Sequence, residues 1–209
     1  MARPTKFTRD QILDAARSAV LHHGRGASVA QVSDEVGAPV GSIYHRFASR
    51  DELFISLWLR AIHRFHVGLL DAARFGDART ALTASAVHIP RYCRSHPAEA
   101  LAMTLYRQRT LVTTAPTSLA EAVSTVNDDA VAAMTTLCRQ RYGRATRHRL
   151  DLVATAVQQC PYGLVRPYVG NVVPRWLDDA VVAASNTILN LGDAGKVERS
   201  VSARRRPAG

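Results

Sequence analysis

Signals for the start of a helix recur at short intervals near the beginning of this chain. A serine or threonine followed three residues later by glutamine or glutamate forms a capping box, in which the two side chains satisfy free backbone N–H groups in the first turn of a helix. Glycines, which often end helices in the left-handed conformation, follow two of these signals. The sequence therefore predicts successive short helices, started by the pairs Thr8–Gln11, Ser28–Gln31 and Ser49–Glu52, with Gly24 and Gly37 ending the first two.

Apolar residues repeat with the period of an α-helix along nearly the whole chain, and no convincing run has the period of two that marks a strand. The first helix carries an apolar stripe from Ile12 to Val20, and the helix after Ser49 carries a longer one from Leu53 to Leu69. The fold class predicted is all-α. Further helices are expected over residues 77–95, 97–112, 118–142, 146–159 and 174–191, with an irregular connection over 160–174.

The charge of the chain favours a polyanionic partner. Lys and Arg number 27 against 17 Asp and Glu, which gives a formal charge of +10 and a pI near 10.4. Nucleic acid is the first partner that such a balance suggests, although an ordinary basic surface would give the same count. Three widely spaced cysteines and an N-terminus without an apolar signal-peptide segment predict a cytoplasmic protein, and we expect no membrane association.

The turn at Gly37–Ala38–Pro39 joins two short helices into a predicted helix-turn-helix. Ile43 and Phe47 are spaced to pack the second helix on the first apolar stripe, which leaves the polar residues between them for solvent or a partner. An ordinary helical corner, with Tyr44 and Phe47 as core aromatics, remains the alternative interpretation of this segment.

An α-helix fits the major groove of DNA, where base edges present a distinct pattern of donors and acceptors. Val40 and Gly41 would permit close approach there, Ser42 and His45 could bond to base edges, and the Tyr44 hydroxyl could reach a phosphate. Helix N-termini are natural phosphate sites. The predicted DNA-binding residues are Ser28, Pro39, Val40, Gly41, Ser42, Tyr44, His45, Arg46 and Arg50.

The motif Gly-Ser-Ile-Tyr-x-x-Phe at residues 41–47, with Ser-Arg-Asp-Glu-Leu after it, resembles the DNA-binding domain of TetR-family transcriptional repressors, and the likeness covers roughly residues 7–60. The resemblance implies a homodimer that binds a palindromic operator in double-stranded DNA and a C-terminal helical domain that senses a small-molecule effector. Ser33, Arg50 and the Ala38–Pro39 pair depart from the residues usual in the family, so the bases that are read remain open.

By this resemblance, residues 1–50 form the helix-turn-helix domain and 51–195 the effector-binding and dimerisation domain. Residues 196–209 are basic and nearly without large apolar side chains, so we expect this tail to be disordered. Candidate effector-binding residues combine apolar walls with a few polar groups. They are His63, His66, Tyr92, Met103, Tyr106 and Arg107. The apolar stripes of the last two long helices supply the candidate dimerisation residues, which are Leu150, Val153, Val157, Leu177, Val181, Ala184 and Ile188.

An enzyme or a small-molecule binding module with a similar helical corner is the second hypothesis. No nucleophile elbow, phosphate loop, paired-carboxylate motif or HExxH motif appears in the sequence. Cys93 and His96 are one helical turn apart but lack further ligands nearby, whereas a zinc site needs three or four. We therefore expect no catalytic residues, no metal and no cofactor.

Overall fold

The computed structural model describes residues 7–193, and the described part of the chain is built from helices without a strand. The predicted basic tail lies outside the described residues. The helices, numbered in chain order, are α1 (Arg9–His23), α2 (Val29–Val36), α3 (Val40–Tyr44), α4 (Arg50–Ala72), α5 (Ala78–Ser95), α6 (Pro97–Met103), α7 (Gln108–Thr114), α8 (Ala120–Thr125), α9 (Asp128–Tyr142), α10 (Arg147–Ala154), α11 (Cys160–Val165) and α12 (Trp176–Leu191).

Capping residues define the first helices much as the sequence predicts. Thr8 and Ser28 each form a complete capping box, with Gln11 and Gln31 respectively. At the third box the Ser49 hydroxyl accepts a hydrogen bond from the Glu52 N–H at 3.0 Å, but the Glu52 carboxylate accepts from the Ala48 N–H at 2.9 Å. The reciprocal bond has therefore moved one residue outward, and α4 still begins directly after Ser49.

Two compact units divide the described chain. The first contains the described residues up to His66 together with Tyr92–Asp128 and Val169–Val172. One of its cores joins the apolar stripes of α1, α2 and α4 to Ile43, Phe47 and, from α6, Ala102. A second core packs the other face of α4, through Ile55 and Trp58, on α7 and α8.

The second unit contains Val67–Arg91, Asp129–Tyr168 and the described residues from Val173 onward. Its main core brings together buried residues of α5, α9, α10 and α12, among them Leu82, Cys138, Val153 and Leu189. The Tyr142 hydroxyl donates to the Leu189 carbonyl at 2.7 Å, which ties the end of α9 to α12.

Two predicted helices are broken in the structure, at points where side chains from elsewhere in the chain bond to backbone carbonyls. The predicted helix 97–112 breaks after Met103, where Arg25 donates to the carbonyls of Thr104 and Leu105 at 2.6 and 2.8 Å. The helix 118–142 breaks near Val126, where Gln108 donates to the carbonyls of Val123 and Ser124, both at 2.9 Å.

A third difference lies at residues 160–165, the first part of the expected irregular connection, which is helical. A π-helical turn at Thr155–Gln159 leads into α11, so the helix passes through Pro161, which has no N–H to donate. The Ser185 hydroxyl donates to the Ala156 carbonyl at 2.7 Å and satisfies an acceptor within the widened turn. The wider turn and this bond together accommodate the proline.

Among the described residues, α4 alone has the length and apolar composition that could cross a membrane. Half of that stretch is buried inside the protein, as in a core helix.

Candidate nucleic-acid interface

The turn between α2 and α3 is fixed by two local features. Gly37 adopts the left-handed conformation, with φ of 67°, which a residue with a side chain would adopt only with strain. The Ser33 hydroxyl donates to the Ala38 carbonyl at 2.5 Å and closes the turn from the α2 side. The sequence did not reveal this role of Ser33.

Two side chains anchor α3 to the rest of the first unit. Ile43 is 1% exposed and Phe47 is fully buried, and both belong to the core that includes Ile12 and Val32. The predicted packing of Ile43 and Phe47 on α1 is therefore present in the structure. Tyr44, which the helical-corner alternative placed in the core, is instead 46% exposed.

The remaining side chains of this segment face away from the core and form what we call the recognition face. Pro39, Val40, Gly41, Tyr44 and His45 are exposed, whereas two members are half-buried. The side chains of Tyr44 and His45 have no hydrogen bond or ion pair with any residue between 7 and 193. The full recognition face is Pro39, Val40, Gly41, Ser42, Tyr44, His45 and Arg46.

Gly41 is not required by the packing of the chain itself. A Cβ atom built on this glycine meets no heavy atom within 4 Å, and its backbone is helical. Glycine within a helix costs about 0.5–1 kcal/mol relative to alanine, so the position keeps a residue that weakens the helix. The open space lies on the recognition face, where close approach of a partner would use it.

Ser28 and Arg50, the predicted phosphate contacts, are partly engaged within the protein. The Ser28 hydroxyl accepts from the Gln31 N–H at 3.3 Å as the cap of α2. Arg50 donates to the Ala27 carbonyl at 2.9 Å and lies 4.7 Å from the centre of the Phe54 ring. Its side chain is still 46% exposed, which leaves N–H groups free for an anion.

Arg9 is a residue of the site that sequence reasoning missed. Its guanidinium lies 4.1 Å from the centre of the Phe47 ring and donates to the Arg46 carbonyl just beyond α3. The Glu52 carboxylate lies 4.0 Å away. Arg9 therefore holds the end of the recognition face against α1, and no local pattern around residue 9 could have indicated a partner 37 residues further on.

The six candidate effector residues are distributed over several environments in the first unit. His63 and Arg107 are exposed, Met103 and Tyr106 are half-buried, and His66 and Tyr92 are buried. The Tyr92 ring stacks on His96 with centres 4.6 Å apart, and burial raises the pKa of Tyr92 to about 12. A half-open cleft of about 180 Å³ has only Tyr106 of the six in its lining.

The seven candidate dimerisation residues also divide by exposure. Val153, Val157, Leu177 and Val181 are between 0 and 4% exposed, inside the second unit. Leu150, Ala184 and Ile188 are half-buried. The four buried side chains have almost no surface to offer a second subunit, because the core of their own chain already covers them.

Cys93 and Cys138 are buried inside the protein. Burial raises the pKa of Cys93 to about 11 and also raises that of Cys138, which disfavours the reactive thiolate. Between residues 7 and 193, no group of three or more His, Cys, Asp and Glu could hold a metal ion.

Known proteins resemble this chain in two ways, through a family model that matches the helix-turn-helix segment and through solved structures that share most of its fold. Residues 12–57 match the family model of bacterial regulatory proteins, tetR family. No curated protein matches the chain.

Solved structures of regulators share the fold at low sequence identity. A transcriptional regulator from Rhodococcus sp. Rha1 has a TM-score of 0.68 and 20% identity, over 88% of this chain and 97% of its own. The ketosteroid transcriptional regulator KstR2 of Mycobacterium tuberculosis has a TM-score of 0.64 and 16% identity, over 88% and 94%. FadR from Bacillus subtilis, in complex with stearoyl-CoA, has a TM-score of 0.56 and 18% identity, over 88% and 97%.

The family match contains the recognition face, its anchors Ile43 and Phe47 and the capping box at Ser28, and these are the features that give the segment its helix-turn-helix geometry. The resemblance found in the sequence is thereby confirmed, as is the all-α fold of a helix-turn-helix domain followed by a helical C-terminal region. Residues 12–57 of this chain form a DNA-binding helix-turn-helix domain of the tetR family of bacterial regulatory proteins, and the solved regulators share the all-α fold around it.

Proposed function

We propose that the protein is a repressor that binds a palindromic operator as a homodimer and is released from it by a small-molecule effector. The observation that supports this most directly is the contrast within α3. Ile43 and Phe47 are buried completely enough to hold the helix, whereas Tyr44 and His45 beside them have no described partner in the chain. In an otherwise well-packed unit, polar side chains left outward on an anchored helix are available for DNA.

In this proposal α3 enters the major groove. Ser42 and His45 bond to base edges, which carry the sequence information, while Tyr44 and Arg46 hold phosphates and set the register. Arg50 contributes the N–H groups that Ala27 does not use. Gly41 lets the backbone of α3 approach the groove closely, since nothing in the protein occupies that space.

Release by an effector requires a connection between the effector site and the recognition face, and α6 is placed to provide it. The Glu99 carboxylate of α6, only 8% exposed, accepts from Arg17 of α1 at 2.5 Å and from Arg64 of α4 at 2.7 Å. Burial by itself raises the pKa of Glu99, but the hydrogen bonds and charges of the two arginines outweigh burial and hold that pKa below its ordinary value. The carboxylate is therefore ionised and joins three helices.

The far end of α6 is attached to the same unit by three further hydrogen bonds. Arg25, which follows α1, donates to the Thr104 and Leu105 carbonyls. The Trp58 indole N–H of α4 donates to the Met103 carbonyl at 3.1 Å. A displacement of α6 would thus move α1, and Phe47, which anchors the recognition face, packs on α1. The bonds of Arg17, Arg25, Arg64 and Trp58 with α6 we call the α6 attachment.

An effector acts in this proposal by favouring a position of α6 in which two recognition faces no longer match two half-sites. It can do so only to the extent that it binds that state more tightly than the DNA-bound state. Binding of operator and effector would then weaken each other by the same factor. The candidate contacts remain His63, His66, Tyr92, Met103, Tyr106 and Arg107, of which the buried pair His66 and Tyr92 offers the shielded environment typical of a ligand pocket.

Dimerisation is proposed through the outward stripe of α12 rather than its core stripe. Trp176 is 57% exposed, and Ala183 and Thr187 follow on the same side of the helix at spacings of seven and eleven residues. Small residues there would allow a second helix to approach closely. Leu150, Ala184 and Ile188 border that surface or support it, while Val153, Val157, Leu177 and Val181 hold the helices in place from inside.

The proposal also assigns DNA binding to residues 1–50 and effector binding and dimerisation to residues 51–195. It includes a cytoplasmic location with no membrane association. Members of the family are generally not enzymes, and we propose no catalytic role, metal or cofactor for this chain.

Selection of bound duplexes from a random DNA pool, followed by fluorescence anisotropy at several salt concentrations, tests the DNA-binding proposal. We expect an enriched palindrome whose half-sites lie about one helical turn, 34–36 Å, apart. Tyr44→Ala should weaken binding to that palindrome about tenfold or more, while Phe75→Ala, which removes an aromatic that is 67% exposed outside the site, should leave it within twofold.

Equal affinity for the enriched and scrambled duplexes at physiological salt would contradict the proposal, as would equal losses in the two variants. Sedimentation equilibrium of the free protein tests the homodimer separately. Addition of candidate effectors to the preformed complex tests release, and a complex that resists every small molecule known to change the tryptophan fluorescence of the free protein would argue against an effector-released repressor.

A further inference from the structure

The half-open cleft of about 180 Å³ in the first unit carries an unassigned combination of groups, and we call it the Arg25 cleft. Its lining includes two arginines, Arg25 and Arg50, and one tyrosine, Tyr106. The walls between them are the Phe54 ring, Leu105 and Ala27. From these groups we propose that the Arg25 cleft binds a small organic carboxylate with a planar apolar body, such as a single-ring aromatic acid.

The donors in the cleft are only partly used by the protein. A guanidinium has five N–H groups. One terminal nitrogen of Arg25 donates to both the Thr104 and Leu105 carbonyls, which leaves the other terminal nitrogen and Nε for a ligand. One terminal nitrogen of Arg50 donates to the Ala27 carbonyl, and the other is 3.8 Å from the Asp51 carboxylate, beyond hydrogen-bonding distance.

Tyr106 adds a neutral donor to the two cations. Its side chain packs with Trp58 in the second core of the first unit, and its hydroxyl has no hydrogen bond to any described residue. Burial raises the pKa of Tyr106, the Asp51 charge raises it further, and the charges of Arg50 and Arg25 oppose the rise. The phenol therefore stays protonated as a donor and lies within the influence of both guanidinium groups.

Size and charge together select the class of ligand. A cavity of about 150 Å³ is enough for a benzene molecule, whereas drug-sized ligands need about 300–1,000 Å³, so the Arg25 cleft suits a single ring. The planar fork of a guanidinium matches the two oxygens of a carboxylate. Asp51, an opposing charge next to Arg50, has a side chain that is 69% exposed, and solvent screens it.

The proposed site lies outside the recognition face and contains neither His66 nor Tyr92, but it shares Arg50 with the proposed DNA contacts. Its ligand would contact Arg25 before α2, Arg50 at the start of α4 and Tyr106 between α6 and α7, so it would join the segments that the α6 attachment also joins. Binding is tested without DNA, so the result is independent of the proposed repressor function.

The experiment uses the fluorescence of Trp58 in the full chain. The sequence has two tryptophans, Trp58 and Trp176, and Trp176→Phe leaves Trp58 beside Tyr106 as the only reporter. Titration with sodium benzoate at constant ionic strength should give a saturable change with a Kd on the order of 1 mM. Benzamide, the neutral ligand of the same shape, and inorganic phosphate should each bind at least about tenfold more weakly.

Variants in the same background locate the site. Arg25→Ala should raise the benzoate Kd about tenfold or more, and Tyr106→Phe, which removes only the hydroxyl, about threefold. Arg109→Ala removes an exposed arginine of α7 outside the cleft and should leave the Kd within twofold. Circular dichroism confirms that each variant is folded. Isothermal titration calorimetry repeats the benzoate titration on chains that keep Trp176, because Trp176 also lies on the proposed dimerisation surface.

Three results would overturn the proposal. Benzamide binding as tightly as benzoate would show that the carboxylate is not recognised, and phosphate binding as tightly would show a bare anion site rather than one for an organic acid. An unchanged benzoate Kd in both the Arg25→Ala and Tyr106→Phe variants would place any binding elsewhere. A Tyr106→Phe variant that folds normally keeps the test decisive should Arg25→Ala not fold.

Discussion

The recognition face and the α6 attachment lie in the same compact unit but differ in how far the protein satisfies their polar groups. The side chains of Tyr44 and His45 have no described partner within the chain. Glu99, in contrast, accepts two short hydrogen bonds from arginines on two other helices, and Arg25 and Trp58 bond to backbone at the opposite end of α6. One region is arranged for a partner outside the molecule, and the other for mechanical continuity inside it.

This difference has an experimental consequence. Changes on the recognition face should alter DNA binding with little loss of stability, because the fold does not use those side chains. Changes in the α6 attachment should lower the free energy of unfolding, because they leave buried charges without partners. If substitutions in either region changed DNA affinity and the free energy of unfolding together, the two regions would not differ in this way.

The largest effect is expected for Glu99→Gln. Loss of one partner from a buried ion pair costs about 3–5 kcal/mol, but Arg17 and Arg64 are 33% and 44% exposed and regain part of their hydration, so we expect a loss of about 2–3 kcal/mol. Urea unfolding at pH 7 measures it as a lower midpoint with an unchanged slope. Glu121→Gln, an exposed carboxylate of α8 without a described ion pair, is the matched control, and equal midpoints for the two variants would show that the α6 attachment carries no stability.

Gly41→Ala should raise the free energy of unfolding while it weakens operator binding. Removing a glycine from a helix raises the free energy of unfolding by about 0.5–1 kcal/mol, and the open space around Gly41 accepts the methyl group. In the proposed complex the same methyl group would lie between α3 and the DNA, so operator affinity should fall at least about tenfold, about 1.4 kcal/mol.

A matched glycine in the second unit provides the control for this substitution. Gly163 of α11 also has no heavy atom within 4 Å of a built Cβ. Gly163→Ala should stabilise the protein by a similar amount and leave operator affinity unchanged. If Gly41→Ala bound the operator as tightly as Gly163→Ala, the open space at Gly41 would have no part in DNA binding.

The features of the recognition face that could be predicted from the sequence are those determined by neighbours along the chain. Thr8 and Ser28 cap their helices by bonding to the residue three positions later, and Gly37 is required by its left-handed backbone angle. Ile43 and Phe47 follow the helical period. These signals were sufficient to predict the helix-turn-helix and to separate its buried residues from its outward ones. The helical-corner alternative was wrong for Tyr44 because the periodicity of so short a helix allows either direction.

The α6 attachment could not be predicted because each of its bonds joins residues far apart in sequence. Arg25 meets Thr104 across 79 positions and Arg17 meets Glu99 across 82, and no pattern around any of these residues specifies the other. The same cause explains the helix breaks after Met103 and near Val126. In α12 the most regular apolar stripe, which includes Leu177 and Val181, proved to face the chain's own core, because a core needs larger apolar side chains than a small-residue helix contact does.

Acidification reaches the α6 attachment without a substitution. Although burial raises it, the pKa of Glu99 is held below its ordinary value by Arg17 and Arg64. A carboxylate with a lowered folded-state pKa contributes stability above its unfolded pKa, about 4.3, and loses that contribution as the pH falls through the folded value. The difference in unfolding free energy between the native chain and Glu99→Gln should therefore stay constant between about pH 5 and pH 8 and narrow at lower pH. Urea titrations at a series of pH values measure this difference, and a gap that persisted undiminished to pH 3 would mean that the Glu99 charge is not its source.

The smallest effect is expected at Arg9, which lies where the two kinds of region meet. Charge alone would make Arg9 a phosphate contact, but its guanidinium stacks on Phe47 and donates to the Arg46 carbonyl, so we expect it to position the recognition face. Loss of these contacts in Arg9→Ala is worth about 1 kcal/mol, which corresponds to about fivefold weaker operator binding. Arg9→Lys keeps the charge but not the planar stack, and it should weaken binding to a similar extent.

The dependence of affinity on salt decides between the two roles of Arg9. A phosphate contact releases a counterion, so removing it lowers the slope of log K against log salt concentration by about 0.9, whereas a positioning residue leaves the slope unchanged. We expect the slope for Arg9→Ala to equal that of the native chain. For Arg46→Ala, on the recognition face, the magnitude of the slope should fall by about 0.9, the value for one phosphate contact. A reduced slope in Arg9→Ala with normal affinity in Arg9→Lys would assign Arg9 to DNA instead, and the recognition face would then extend onto α1.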